Sequence, residues 1–511
     1  MSETAAAHSR ALVNNDFWSG LLSPAWAARL AWAVAGVGVL LRLVIWGQAR
    51  SVYLDEVNLL RNFVERDYAG LFQPLSYEQY APPLFSVLMK AVVQAFGTGE
   101  LAIRLVPLLA GCAMLLLFRG LALRWLPPLW AVLAVAFLAF GSLFIDYATI
   151  CKQYSTDGLA AVGLVVLATR QLRAATFGTR AALGWALGGA ALVWVSMPVV
   201  FVLAGVGVAL AWHYRAQLRG PVSLRLLGVG ATWALSFLVY FKLLLQADAQ
   251  SDYLQNFHHD AFLAFPPRSG AQWQLLGSQL GGLVDKAFGK TALALAVAAV
   301  GAAVGVGQLL RRPSVRTWLL LVPLVACLAA SALHYYSLIA RLVLFMLPLL
   351  LLVLFIGFGV ASRWRWLGGV LLVGTVLTLA NQQRLKHFVV PFQADYADAR
   401  AGLAYVAQHQ QPGEPVFIAH SLAPVAYYYL HLHPRPLALR NVVVVQYRPT
   451  AGGDAELLPP QLLSMAAAGQ PRIWVVYDQP LPWLREWAAS HGTVTQLLDY
   501  HRGYAFRVAL R

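Results

Sequence analysis

The 511-residue sequence predicts a polytopic α-helical membrane protein with a small α/β domain at its C-terminal end. Three observations carry that expectation. Mean hydropathy is +0.62 and 59% of the residues are hydrophobic. Charged residues make up 12%, against roughly 25% in soluble domains. Apolar runs recur from residue 25 to residue 381 and then give way to short alternating segments in which charge returns.

The expected spans cover roughly 25–47, 101–118, 128–145, 155–169, 181–196, 198–212, 225–245, 290–310, 317–334, 342–361 and 366–381, about eleven in all. The stretch 181–212 is long for one helix at about 1.5 Å per residue. Ser196-Met197-Pro198 lies in its middle, and proline both removes a backbone donor and starts helices well, so the stretch counts as two spans. The opening MSETAAAHSRALVNNDF lacks the basic n-region and small-residue cleavage site of a signal peptide, so the first span is expected to remain as an anchor. Residues 1–24 are then a cytoplasmic N-terminus, 25–384 the membrane module and 385–511 an extracytoplasmic α/β domain.

Charge placement supports this count. With the N-terminus inside, the cytoplasmic connections hold thirteen arginines, from Arg119 to Arg365, and no acid. The twelve acids from Asp55 to Asp285 all fall on the other side. Acids contribute little to orientation, so their gathering on one face needs another cause, and surface chemistry supplies one. The net charge of +16 does not indicate a nucleic-acid partner, because its Lys and Arg punctuate apolar runs instead of forming one basic patch.

The first outer loop reads as two interfacial helices. In 54–66, Leu54, Val57, Leu60 and Val64 recur at helical spacing. Residues 83–97 are short for about 30 Å of hydrocarbon and carry Lys90 in the middle, which suits a helix lying at the interface. A turn-rich segment, Gln73-Pro74 to Pro82-Pro83, joins them.

In the tail, ARAGLAYVAQH reads as a helix, then come a Pro-Gly turn, a strand in PVFIA, a helix in PVAYYYL, a strand in RIWVVYD and a helix in WLREWAASH. TVTQLLDYHRGYAFRVAL has the pattern of a hairpin. Cys112 and Cys327 fall inside spans and Cys151 in a loop, which implies no disulfide framework. His258-His259-Asp260 has metal-ligand residue types, but adjacent side chains diverge.

Several motifs stand in an ordered series: YLDEVNLL after the first span, YAPPLFSVLMKAVVQAFGTGE, ELAIRLVPLLAGCAMLLLF, DYATICKQYSTDGL, SMP, and ARLVLFMLPLLLL late in the chain. Their order and spacing over residues 25 to 440 resemble the integral-membrane glycosyltransferases of the C-type fold (GT-C), in particular the protein O-mannosyltransferase and aminoarabinose-transferase group that uses polyprenyl-phosphate sugars.

The resemblance implies a catalytic carboxylate at Asp55 with Glu56 beside it, a second-loop site acid at Asp146, and phosphate-binding cations at Lys152 and Arg341. Tyr80, Tyr154 and Tyr336 are candidate substrate contacts. It also implies a polyprenyl-phosphate-linked sugar as donor, bilayer lipid as surroundings, and the outer face of the plasma membrane as the place of reaction. The acceptor (protein, lipid or glycan) and the sugar stay open. Two departures stand out. Ala81 occupies the place where many relatives have His before Pro-Pro, and Asp146 is followed by Tyr147 and Ala148 where metal-using relatives have Asp-x-Glu. The second departure leaves a divalent metal doubtful, and no other cofactor is implied.

The chemistry asks for those residue types. A carboxylate accepts the proton of the attacking acceptor, and cations stabilise the phosphate as negative charge grows on it. Asp55 suits the first role and Lys152 with Arg341 the second, in a single inverting displacement without a covalent intermediate. Blander roles exist for each. Asp55 and Glu56 suit the N-terminal dipole of the helix they open, Lys152 could snorkel, Arg341 could anchor a span, and Asp157 could cap the next helix. The triplet Tyr427-Tyr428-Tyr429 could stack on a sugar or pack in a core. A transporter or flippase of lipid-linked sugars is the main alternative, but it would place ionisable residues near mid-span in broken helices. A noncatalytic scaffold on the same fold is the other.

Overall fold

The computed structural model describes residues 17–246, 252–382, 398–445, 468–477, 482–500 and 503–511. Each expected span overlaps a helix, although 101–118 is interrupted at Arg104, 128–145 at Gly141, and residues 342–346 are turns ahead of helix Leu347–Ala361. Among the described residues, five helices are long and apolar enough to cross a membrane: Pro24–Gly47, Leu105–Trp125, Pro221–Leu245, Ala292–Arg311 and Val315–Ala332. Pro128–Phe140, Thr179–Val195, Val199–His213, Leu347–Ala361 and Arg365–Gln382 are apolar but shorter in their apolar stretch, and Tyr154–Gln171 opens on a polar first turn. Length and composition thus support five crossings directly, where the apolar runs alone predict about eleven.

The helices pack in pairs. Ala292–Arg311 lies along Leu347–Ala361, Val199–His213 along Val315–Ala332, Leu105–Trp125 along Tyr154–Gln171, and Pro24–Gly47 along Pro128–Phe140. The first pair approaches backbone to backbone, because a Cβ on Gly357 would strike the carbonyl of Gly301 and one on Gly305 the carbonyl of Val353. Small residues allow such approach where lipid tails give apolar side chains little reason to leave them. Arg42, inside the first long helix, is fully buried; its guanidinium donates to the carbonyls of Gly38 (2.8 Å), Leu138 (2.9 Å) and Ala139 (2.9 Å).

The arginine-bearing connections meet one another. Arg225 donates to Phe177 O at 2.9 Å, Arg316 to Trp125 O at 3.5 Å, and the Trp18 indole to Arg365 O at 3.0 Å. Elsewhere, the start of helix Leu54–Glu65 meets the loop before Tyr154–Gln171, where Cys151 N–H donates to Glu56 at 2.6 Å, and the loop before Leu347–Ala361, where Arg341 lies 3.6 Å from Asp55.

Both helices expected in the first outer loop form, as Leu54–Glu65 and Pro83–Phe96. Lys90 is buried between them and donates to the Phe63 (2.9 Å) and Arg66 (2.6 Å) carbonyls. A cation thereby meets the negative end of the first helix, where backbone carbonyls lack intrahelical partners. The joining segment turns through two successive left-handed non-glycine residues, Tyr77 (φ 64°) and Glu78 (φ 54°). Asn62 holds that turn, accepting from Ser76 N–H at 2.8 Å and donating to Ser76 O at 3.1 Å. Gly270–Phe288 is an additional helix, packed on Ala292–Arg311 and Leu347–Ala361. Its glycines and glutamines dilute the apolar period in the sequence.

The tail forms a five-stranded sheet, β1 (Val416–Ala419), β2 (Val442–Val445), β3 (Arg472–Tyr477), β4 (Gly492–Tyr500) and β5 (Gly503–Leu510), in the order β2-β1-β3-β5-β4. β2, β1 and β3 run parallel, whereas β3-β5 and β5-β4 are antiparallel, so the expected hairpin forms one edge. β2, from NVVVVQY, is the strand the sequence reading does not contain. Helices Ala399–His409 and Pro482–His491 form at the expected places. The domain boundary expected at 384/385 lies outside the described residues.

Candidate functional site

Three chain segments converge: the start of helix Leu54–Glu65, the loop before helix Tyr154–Gln171, and the loop before helix Leu347–Ala361. Asp55 and Glu56 are adjacent in the first turn, so helical geometry sends their side chains about 100° apart. Glu56 turns inward and is fully buried. Its carboxylate accepts both Nε (2.9 Å) and Nη2 (2.6 Å) of Arg104, together with Cys151 N–H (2.6 Å) and Tyr53 N–H (3.3 Å). Such a fork satisfies a buried charge that would otherwise be costly to desolvate. The Glu56 carboxylate is thereby committed to the scaffold, joining the first loop to the second.

Asp55 turns the other way. Its Oδ2 lies 3.6 Å from Arg341 Nη1, and the two side chains are 28% and 32% exposed. Burial works against the Arg341 charge, but Tyr154, Asp55 and Tyr147 outweigh it and hold the guanidinium above its ordinary range. Lys152 is buried, with its ammonium donating to Gln79 Oε1 at 2.6 Å. Burial pushes that ammonium below the ordinary lysine range; Asp55 opposes the shift and Arg341 adds to it. The neighbouring Gln153 donates to Tyr80 O at 3.2 Å. The left-handed turn at Tyr77-Glu78 therefore delivers Gln79 and Tyr80 onto the second loop. One partly exposed carboxylate and two cations thus share a polar centre, with Asp55 within electrostatic reach of both.

The remaining candidates lie around this centre in different ways. Asp146 ends the short helix Ser142–Asp146, and its carbonyl accepts from Thr149 N–H at 3.0 Å and the Thr149 hydroxyl at 3.1 Å. Its charge reaches Tyr147, whose phenol is pushed up to about 12 chiefly by burial. Tyr154 is buried edge-on to Tyr147, ring centroids 5.1 Å apart. Tyr336 is buried and donates to Leu342 O at 2.6 Å, which leaves its hydroxyl engaged with the chain itself. The Tyr80 hydroxyl pairs with that of Tyr240, and burial holds the Tyr80 phenol well above its ordinary range.

Some participants escape sequence reasoning. Arg104 gives no local sign of its role, since its partner lies 48 residues earlier. Gln79 is marked only by the turn that precedes it. Asp157 is not the cap of its helix, because Gln153 holds that position and the Asp157 N–H donates to Gln153 O at 3.0 Å. It is buried at the end of a polar run, Ser155-Thr156-Asp157, and influences both Tyr80 and Tyr336. Its acidic position within KQYSTDGL is the one signal that marks it. Tyr428 and Tyr429 are buried, which settles their packing in favour of the core. Among the described residues, no group of three or more His, Cys, Asp or Glu is placed to share a metal ion.

No family profile matches the chain, and no curated protein matches it either. Solved structures do. The crystal structure of ArnT from Cupriavidus metallidurans in the apo state aligns with a TM-score of 0.49 and 16% identity over 94% of this chain and 98% of that one. The same protein bound to undecaprenyl phosphate aligns at 0.45 and 14%, covering 93% and 98%. The Archaeoglobus fulgidus oligosaccharyltransferase, in complex with Zn and sulfate, aligns at 0.47 and 13%, covering 93% and 72%. With TM-scores below 0.5, none of these likenesses assigns a role to a residue here.

Proposed function

We propose that this chain is a membrane glycosyltransferase that moves a sugar from a polyprenyl-phosphate donor to an acceptor hydroxyl or amine at the outer face of the plasma membrane. The observation that supports the reading most is the convergence of Asp55, Arg341 and Lys152 from three separate loops. A donor phosphate entering this centre draws Arg341 and Lys152 onto its oxygens. Arg341 grips as a fork and Lys152 acts as a point charge. That movement releases the Asp55 carboxylate from its cation at the moment the acceptor needs a base. The acceptor oxygen or nitrogen forms a bond to the anomeric carbon, its proton passes to Asp55, and the anomeric carbon–oxygen bond breaks with its electrons leaving on the phosphate. The result is inversion in one displacement. Glu56 serves as a positioning residue in this reading, and the acids of the outer loops belong to the reacting face.

Radiolabelled polyprenyl-phosphate hexoses and membrane extract, incubated with purified protein in detergent, test the assignment. Asp55→Asn is expected to lose about 10²–10⁴-fold in turnover while still binding undecaprenyl phosphate. Equal transfer by the two proteins removes Asp55 from the reaction. Reporter fusions at residues 60 and 270 test the orientation, and a cytosolic location for either overturns it.

A further inference from the structure

The segment just before Asp55 is gripped from two sides. From the membrane module, Arg104 Nη1 donates to Arg50 O at 2.7 Å and Nη2 to Ser51 O at 3.2 Å. From the C-terminal domain comes a second grip, centred on the buried Tyr429 hydroxyl. It accepts from Val52 N–H at 3.2 Å and lies 3.2 Å from Ser51 Oγ and 3.1 Å from Glu100 Oε1, either of which can take its proton. Arg400 N–H donates to Ser51 Oγ at 3.3 Å. Glu100 in turn takes the Arg400 guanidinium at 3.2 Å and His433 Nε2 at 3.1 Å. Tyr428 donates to Thr98 O at 2.9 Å, and the Thr98 hydroxyl donates to Leu432 O. Val52 supplies one of the backbone groups immediately before the helix on which Asp55 sits.

We propose that Tyr429 is a positioning residue through which the C-terminal domain sets the placement of Asp55 against Arg341. The proposal rests on the glycosyl-transfer reading. The domain is thereby part of the reaction centre's frame. Because the grip acts on backbone that precedes the helix, its loss tilts or loosens the helix start without touching the cations that bind phosphate. A small displacement of a base from its target costs rate far more than it costs binding.

Tyr429→Phe keeps the buried ring and removes only the hydroxyl. The expected result is a roughly tenfold fall in kcat with donor KM within about twofold. Hydrogen–deuterium exchange is expected to rise in the peptide covering residues 50–57 and to stay unchanged in helix Ala292–Arg311. Ser51→Ala, a milder cut in the same grip, is expected to act in the same direction, and the double variant to lose less than the sum of the two. Unchanged kcat in Tyr429→Phe, or faster exchange spread evenly over the protein, overturns the proposal. If the wild-type protein transfers none of the probe sugars, the glycosyl-transfer reading falls. Exchange at residues 50–57 then decides the grip alone, and an unchanged rate there overturns it.

Discussion

Arg341 Nη1 stands 3.6 Å from Asp55 Oδ2, a contact between the late loop and the first one. Neither side chain is sealed from solvent, so the pair is open to exchange of partners. A phosphate, with more charge and more acceptor oxygens than one carboxylate, competes directly for that guanidinium.

Removing the guanidinium should therefore damage the transfer step more than the fold. Arg341→Gln is expected to lower kcat/KM for the donor by about 10²-fold, the order seen when one charge-stabilising donor is lost from a reaction site. Arg341→Lys should recover only part of that loss, because an ammonium lacks the planar fork. Initial rates over a donor concentration series measure both.

Lys152 predicts an alkaline limit. Burial holds its pKa below the ordinary lysine range, so its charge disappears as pH rises through that lowered value. Donor KM is expected to climb on the alkaline side earlier than an exposed lysine would dictate. Lys152→Arg keeps a charge at every accessible pH and should flatten that limb. A pH series of donor KM for the two proteins reads the difference.

Glu56 should behave differently from Asp55. Glu56→Ala leaves the Arg104 guanidinium buried without its carboxylate, and loss of one partner from such a pair costs about 3–5 kcal/mol. The thermal melting temperature in detergent should fall sharply. Asp55→Asn, at a partly exposed site, should leave it nearly unchanged.

Two glycines on helix Ala292–Arg311 provide a packing test. A Cβ at Gly305 would strike the Val353 carbonyl, whereas one at Gly307 meets nothing within 4 Å. Gly305→Ala is expected to destabilise by about 1–3 kcal/mol through overpacking. Gly307→Ala should be neutral or gain about 0.5–1 kcal/mol, since alanine suits a helix interior better than glycine. Melting curves of the two variants make the comparison.

Much of the framework is visible in the amino-acid order because it follows local rules. Apolar length marks the helices, Pro83 starts helix Pro83–Phe96, and a Gly-containing turn marks the β4-β5 hairpin. Asp55 stands out because carboxylates are scarce and two occur together. What the order does not contain is which of those two faces inward. That depends on Arg104, which sits in an unremarkable apolar stretch and meets Glu56 only once the chain has folded. The Lys152–Gln79 contact is hidden for the same reason, since a backbone turn and a buried amine become partners through tertiary packing alone. β2 escapes because four valines followed by polar residues read equally well as a fragment of core or a loop.

Arg42 carries a consequence for biogenesis. Its charge is quenched by carbonyls of its own helix and by those at the end of helix Pro128–Phe140, nearly a hundred residues later in the chain. A helix Pro24–Gly47 emerging alone into lipid holds an arginine that lacks two of its three carbonyl partners until that later segment has been made. The helix is therefore a poor free-standing anchor early in synthesis, and its settled residence in the bilayer awaits a companion that the ribosome has yet to deliver.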